Sequence, residues 1–254
     1  MSEHVLVERR DAVLALTLAR PEQRNALTVA MYAALADAIE GAATDPSIRV
    51  IVIEGQGDDF TAGNDLADFI NTLPAPNSGD DIPVWRLLRA LARNQVPLIA
   101  AVHGNAVGIG TTMLLHCDFV LAEEGSRFVM PFVDLGLVPE AASSLLLPRL
   151  AGRRRAARYL LLGEKFGADE ALDMGLASHK VGPGELADAL GALVAALLAK
   201  PPEALRQTPA LLRREATDEI LARIELENGH FSERLASDEI KQAIAAFFAA
   251  RANA

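Results

Sequence analysis

Within DLGLVPEAASSLLLPRL, residues 134–150, Glu140 directly follows Pro139 in a run with no other charge between Asp134 and Arg149. Two kinds of work are open to it. A proline followed by an acid suits a helix start, where the helix dipole favours a negative group. A glutamate enclosed by apolar residues is instead a base or proton donor of raised proton affinity. Asp134, the other acid of the stretch, reads as structural.

Two glycine-bearing turns offer a second kind of chemistry. GQGDDFTAGND, residues 55–65, is rich in Gly and Asp and follows an apolar strand, the place where open α/β sheets put their ligands. GNAVGIG, residues 104–110, has the look of a nucleotide turn. It lacks the third glycine of the dinucleotide fingerprint and a ribose-reading acid, and no phosphate-cradling P-loop occurs. Ser143 and Ser144 do not sit in a G-x-S-x-G elbow, and none of the five histidines stands in a triad setting. His103 and His116 read as hydrogen-bonded core residues. Cys117 is the single cysteine, so no internal disulfide forms, and no Cys/His zinc spacing occurs; no metal is expected.

The elements that must position these groups follow from periodicity. HVLVERRDAVLALTLAR predicts an opening hairpin turning at ERRD. Thr28 predicts a helix cap with the helix running to about Ala43. IRVIVIEG and PLIAAVHG are apolar, β-branched runs of the kind buried on both sheet faces. PAPNSGDD reads as a surface loop, followed by a short helix through Trp85 and Leu91. GIGTTMLLHC reads as a glycine turn feeding an apolar helix, DFVLAEEGSRFVMP as two short strands around a polar turn, and a helix should start near Pro139. From Arg153 onward the pattern is mainly helical. Strands first and helices after imply one α/β core with a helical C-terminal region. The expected division is residues 1–195 for the core and 196–254 for a helical region of the same domain.

With 254 residues, 51% hydrophobic and 23% charged, the chain has ordinary globular composition. A net charge of −10 argues against nucleic-acid binding, which needs clustered cations. One local exception, RLAGRRRAAR, holds five arginines in ten residues and is read as a solvated helix face or a site for a phosphate-bearing ligand. The opening residues lack a signal-peptide layout and no apolar run approaches about 20 residues, so a cytoplasmic protein without membrane contact is expected.

Five ordered stretches give the chain a specific resemblance: RPEQRNALT, VIVIEGQGDDFTAGNDL, VPLIAAVHGNAVGIGTTMLLHCDFVLAEEGSRFVMP, LGLVPEAASSLLLPRLAG and LLGEKFGADEALDMGLASHKV. Together the chain resembles the enoyl-CoA hydratase/isomerase (crotonase) superfamily over nearly its whole length. That resemblance implies a spiral of ββα units, a C-terminal helical region that makes a homotrimer or a dimer of trimers, and an acyl-CoA substrate. Coenzyme A would enter as part of the thioester, with no separate cofactor. It further implies two backbone N–H groups, here those of Asn64 and Ile109, that hold the thioester oxygen; such donors contribute about 3 to 4 kcal/mol each. Ala62, Gly63, Asp65, Leu66 and Gly108 fall at substrate-binding positions, and Asp65 would brace the loop by accepting backbone hydrogen bonds.

The superfamily's hydratases use two glutamates, and this chain has Thr112 and Phe132 at those positions. Neither side chain can activate water or protonate carbon. The surroundings of Glu140 look most like the peroxisomal-type Δ3,Δ2-enoyl-CoA isomerases, whose catalytic glutamate follows the same proline; related dehalogenases and ring-epoxide isomerases have aspartate there. The resemblance therefore implies double-bond migration by one glutamate. Isomerisation of a ring-containing acyl-CoA, a hydratase-type member, and a silent thioester binder are the alternatives. Residues 67–91 would shape the acyl pocket.

Overall fold

The computed structural model describes residues 2–68, 82–213, 216–240 and 242–243. The expected surface loop at residues 74–81, much of the segment assigned to the acyl pocket and the end of the C-terminal helical pattern lie outside them.

Strands β1 (Val5–Arg10) and β2 (Val13–Leu18) form the opening hairpin. Its turn is later than expected. Strand pairing persists through Arg10, which faces Val13, and the chain reverses at Asp11, whose φ of 54° is a left-handed conformation that a short polar side chain tolerates. Four parallel neighbours extend the sheet in the order β1-β2-β3-β4-β6-β9: β3 (Val50–Gly55), β4 (Leu98–Val102), β6 (Phe119–Glu123) and β9 (His179–Val181). A smaller sheet holds β5 (Asn105–Val107), β7 (Arg127–Val129) and β8 (Phe166–Gly167). The two short strands expected in DFVLAEEGSRFVMP are present, but they are no hairpin. Like β4 and β5 before them, β6 and β7 divide between the two sheets, which gives the spiral.

Helix α1 (Val29–Thr44) begins where Thr28 predicts, its hydroxyl accepting the Met31 N–H at 3.3 Å. Helix α2 (Pro83–Arg93) has proline in its first turn, and α3 (Ile109–Thr112) is a single turn continued by a 3-10 turn to His116. Helix α4 (Ser143–Ala151) starts four residues later than the expected Pro139. Ala141 and Ala142 have φ of 58° and 56°, so the helix cannot begin before Ser143.

The C-terminal part includes α5 (Arg153–Leu162), α6 (Ala168–Asp173), α7 (Leu186–Leu198), α8 (Pro202–Arg213) and α9 (Thr217–Leu235). Strands β8 and β9 interrupt what the sequence reads as helix, because two or three residues carry too little alternation to register. The apolar runs behave as both-face-buried strands. Ile51, Ile53, Leu98 and Ala100 enter the main core, while Val50, Val52, Ile99 and Leu121 face Leu190, Leu193 and Leu197 of α7. Of the arginine-rich stretch, Arg149, Arg155 and Arg158 pair with Glu219, Asp173 and Glu164 at 2.7, 2.9 and 2.7 Å, the behaviour of a solvated face.

Candidate active site

The two glycine turns lie side by side. Thr61 N–H donates to the Asn105 carbonyl at 2.9 Å and Val107 N–H returns to Thr61 at 3.0 Å. On the other side, Leu27 N–H donates to Gly63 at 2.7 Å and Asp65 N–H to Leu27 at 2.9 Å. Residues 61–65 are therefore held on both edges. Gly63 has φ of 84°, and a Cβ there would stand 2.7 Å from the Val107 carbonyl oxygen. A Cβ at Gly110 would strike the Thr61 methyl. Glycine at these positions lets the loops touch backbone to backbone.

This contact leaves Asn64 and Ile109 on one cleft. Among the described residues, neither backbone N–H donates to a protein acceptor. Ile109 is the first residue of α3, where a helix has no internal acceptor for its N–H. Its side chain turns into the main core, so the isoleucine does not obstruct its own amide.

Several supports were not read from the sequence. Asn25 is fully buried, with φ of 54°, and its amide donates to the Gln56 and Asp59 carbonyls, both at 2.8 Å, while accepting Arg20 N–H at 2.9 Å. Its carbonyl takes the Thr61 hydroxyl at 2.6 Å, and that hydroxyl accepts Gly63 N–H at 3.1 Å. Position 25 lies within RPEQRNALT, so the signal was an asparagine in a turn. Asp65 accepts Asp68 N–H at 3.1 Å, as expected of a loop brace, but its stronger partner is Arg20 at 2.6 Å. Burial raises the Asp65 proton affinity, yet the hydrogen bonds from Arg20 and Asp68 and the Arg20 charge outweigh it and hold the carboxyl below its ordinary range. Tyr32, fully buried on α1, donates its hydroxyl to the Asn64 side-chain oxygen.

Glu140 is not at a helix start and does not point to water. It is completely buried in the irregular segment before α4, and among the described residues neither carboxyl oxygen has a hydrogen-bond partner. Burial, reinforced by the nearby charge of Glu227, pushes its pKa up to about 8. Burial also raises the Tyr32 phenol well above its usual value, with the Glu140 charge adding to the effect. Tyr32 thus stands electrostatically between Glu140 and the hydrogen-bonded side chain of Asn64. Glu227, 5% exposed on α9, accepts Ala142 N–H at 2.6 Å and Ser144 N–H at 3.0 Å. It lay unnoticed in an amphipathic helix 87 residues beyond Glu140.

A cleft of about 620 Å³ runs along the glycine turns, lined among others by Ala62, Gly63, Asn64, Asp65, Leu66, Gly108, Ile109, Phe132, Leu137 and Phe231. Every position assigned to the substrate and both backbone donors fall on it. Glu140 does not line it and lies beneath the surface, in the segment that follows Leu137. Thr112 and Phe132 are buried, and among the described residues the Thr112 hydroxyl has no hydrogen-bond partner. Asp134 is exposed at the cleft. His116 donates or accepts at the Ala141 carbonyl at 2.8 Å and is buried; His103 bonds the Gly57 carbonyl at 2.8 Å and is half-buried. Among the described residues no cluster of His, Cys, Asp and Glu could hold a metal, and no helix is long and apolar enough to cross a membrane.

Two sheets wound in a spiral, with a cleft along facing glycine turns, define a crotonase-type acyl-CoA enzyme. The chain belongs to the enoyl-CoA hydratase/isomerase family, whose model matches residues 8–253. It is 37% identical to 2,3-dehydroadipyl-CoA hydratase of Escherichia coli K12, over 99% of this chain and 97% of the relative. With 1,2-epoxyphenylacetyl-CoA isomerase of the same strain it shares 35% identity, again over 99% and 97%. Rat (Rattus norvegicus) enoyl-CoA delta isomerase 2 is 32% identical over 97% of this chain and 63% of that protein. The structure of Pseudomonas aeruginosa OdaA superimposes with a TM-score of 0.91 at 41% identity, covering 97% of this chain and 99% of that one. The relatives' names divide between isomerases and a hydratase, so overall likeness establishes the class of enzyme and the site residues must choose the reaction.

Proposed function

We propose that the protein moves a carbon–carbon double bond in an acyl-CoA thioester, converting 3-enoyl-CoA to 2-enoyl-CoA, with Glu140 as the proton carrier. The observation that carries this reading is a fully buried glutamate whose two carboxyl oxygens have no hydrogen-bond partner among the described residues; burial pushes its pKa up to about 8. A structural carboxylate in such a place would be hydrogen-bonded or ion-paired.

The C2 proton of a 3-enoyl thioester is acidified by the carbonyl and the neighbouring alkene. Ionised Glu140 takes that proton, and the electron pair delocalises onto the thioester oxygen as a dienolate. The N–H groups of Asn64 and Ile109 stabilise the oxygen. Glu140 returns the proton at C4, and the double bond is left between C2 and C3. A raised pKa serves both halves: the carboxylate is a stronger base than an ordinary glutamate, yet it releases its proton near neutrality. Thr112 and Phe132 offer no second acid or base to activate water. In this reading coenzyme A arrives with the substrate, no separate cofactor takes part, and the enzyme works in the cytoplasm as a trimer.

Glu140→Gln tests the mechanism with purified protein, 3-enoyl-CoA and 2-enoyl-CoA. Isomerisation should fall by about 10²- to 10⁴-fold while acyl-CoA binding is kept. Unchanged turnover would remove Glu140 from the mechanism, and robust water addition by the parent would overturn the exclusion of hydration.

A further inference from the structure

Helix α4 has an unusual beginning. Its N-cap, Ala142, has no side chain that can accept a hydrogen bond, and both Ala141 and Ala142 sit in the left-handed region at φ of 58° and 56°. Helix starts leave N–H groups that need acceptors, and alanine resists this backbone conformation. Glu227 supplies what the local sequence lacks. One carboxyl oxygen accepts Ala142 N–H at 2.6 Å and the other accepts Ser144 N–H at 3.0 Å. The turn is pinned on other sides by Ser143 N–H on the Glu140 carbonyl at 3.0 Å and by His116 on the Ala141 carbonyl at 2.8 Å.

We infer that Glu227 is a positioning residue for Glu140: from α9 it caps the start of α4, holds the left-handed Ala141–Ala142 turn, and thereby fixes the Glu140 carboxyl relative to the cleft. This rests on Glu140 being the proton carrier. Its neighbours agree with the role. Arg223, one helical turn before Glu227, donates to the Ser144 hydroxyl at 3.1 Å, so the same face of α9 grips the turn twice. Phe231, one turn after, lines the cleft and meets Trp85 of α2 edge to face at 5.8 Å, which fixes α9 against the core. A buried carboxylate beside Glu140 also favours the protonated form of Glu140, in line with its raised pKa. The charged or titratable groups interacting with this carboxyl pair are Tyr32 of α1 and Arg223 of α9, with His116 of the 3-10 turn bonded to the same loop.

Glu227→Gln keeps the shape but removes the charge and presents an amide N–H to one of the two backbone N–H groups. Per folded molecule, kcat for isomerisation should fall about 10- to 100-fold with KM changed less than twofold, as expected for displacement of the reacting group. The pH at which kcat/KM is half-maximal should move down. Adding Ala142→Gly, which relieves the left-handed backbone, should recover part of the lost kcat. Unchanged kcat and pH profile, with only the melting temperature lowered, would show that Glu227 is merely structural and overturn the assignment. If Glu227→Gln does not fold, Glu227→Asp carries the same comparison, with a several-fold loss of kcat at constant KM expected and an unchanged kcat overturning it. If the parent shows no isomerisation, the reading of Glu140 fails separately. Carbon-13 carboxyl NMR of Glu140, identified by loss of its signal in Glu140→Gln, then decides: a lowered titration midpoint in the Glu227 variant supports the assignment, and an unmoved one overturns it.

Discussion

The glycine turns and the Glu140 turn both use left-handed backbone, but with different residues and different supports. At Gly63 and Gly108 the conformation comes with a residue that adopts it freely, and the loop is held by neighbours in adjacent strands. At Ala141 and Ala142 it is imposed on residues that resist it, at about 1 to 3 kcal/mol each, by contacts from α9 and the 3-10 turn before β6. The donors of the first region are left unpaired at the cleft. The carboxyl of the second is fully buried and, among the described residues, without a hydrogen-bond partner. A fixed backbone can wait for a substrate oxygen with little strain, whereas a buried uncharged acid has to be held in place by the rest of the fold.

The largest effect that would sharpen this contrast concerns the ionisation of Glu140. Its folded pKa, about 8, lies above the ordinary value of 4.5, so the bound proton stabilises the fold most fully below the unfolded value. That stability is lost as pH rises through about 8. Parent protein should lose stability relative to Glu140→Gln progressively between about pH 4.5 and about pH 8, roughly 5 kcal/mol in all, of which only about 1 kcal/mol is lost above neutral pH. As pH rises through about 8, kcat/KM should rise, because the base must be ionised to act. Parallel denaturant melts and pH–rate profiles check both, and a flat stability difference would show that Glu140 is not buried as an acid.

A smaller loss is expected in the glycine region. Gly63→Ala places a Cβ against the Val107 carbonyl in a backbone with φ of 84°, and should cost about 1 to 3 kcal/mol. Displacing the Asn64 donor should also lower kcat/KM by about 10²-fold. Thermal melts and steady-state kinetics separate the two effects. Next comes Asp65→Asn, which leaves the half-buried Arg20 without its ion pair and should destabilise by about 1 to 2 kcal/mol. The smallest change is Ala142→Gly in the parent. Relief of strain is offset by the added freedom of the unfolded chain, and the net change should stay under about 1 kcal/mol. A large loss there would mean that the methyl group, and not the backbone held by Glu227, defines the turn.

Much of the first region was legible because its causes are local. Glycines mark the left-handed positions, Thr28 caps α1, and the apolar runs at β3 and β4 announce strands buried on both sides. The structure brings Ala62, Gly63, Asn64, Asp65, Leu66, Gly108 and Ile109 together on one cleft. The supports were harder to read. Arg20 meets Asp65 across 45 positions, and Tyr32 meets Asn64 across 32, with nothing in either neighbourhood to announce the pairing. The short strands β8 and β9 exist because partners in the two sheets accept them, not because their own residues alternate.

By itself the sequence determined the strand-and-glycine framework, the absence of ionisable groups at positions 112 and 132, and the presence of one acid in an uncharged stretch. Only the tertiary structure decided what that acid is. The same Pro-Glu pair would be a solvated helix start if α4 began at Pro139. The left-handed turn delays the helix to Ser143, and burial together with Glu227 holds the carboxyl largely protonated at neutral pH. Proton affinity depends on what surrounds a group in space: here burial is the main cause, and the charge of Glu227, 87 residues away along the chain, adds to it.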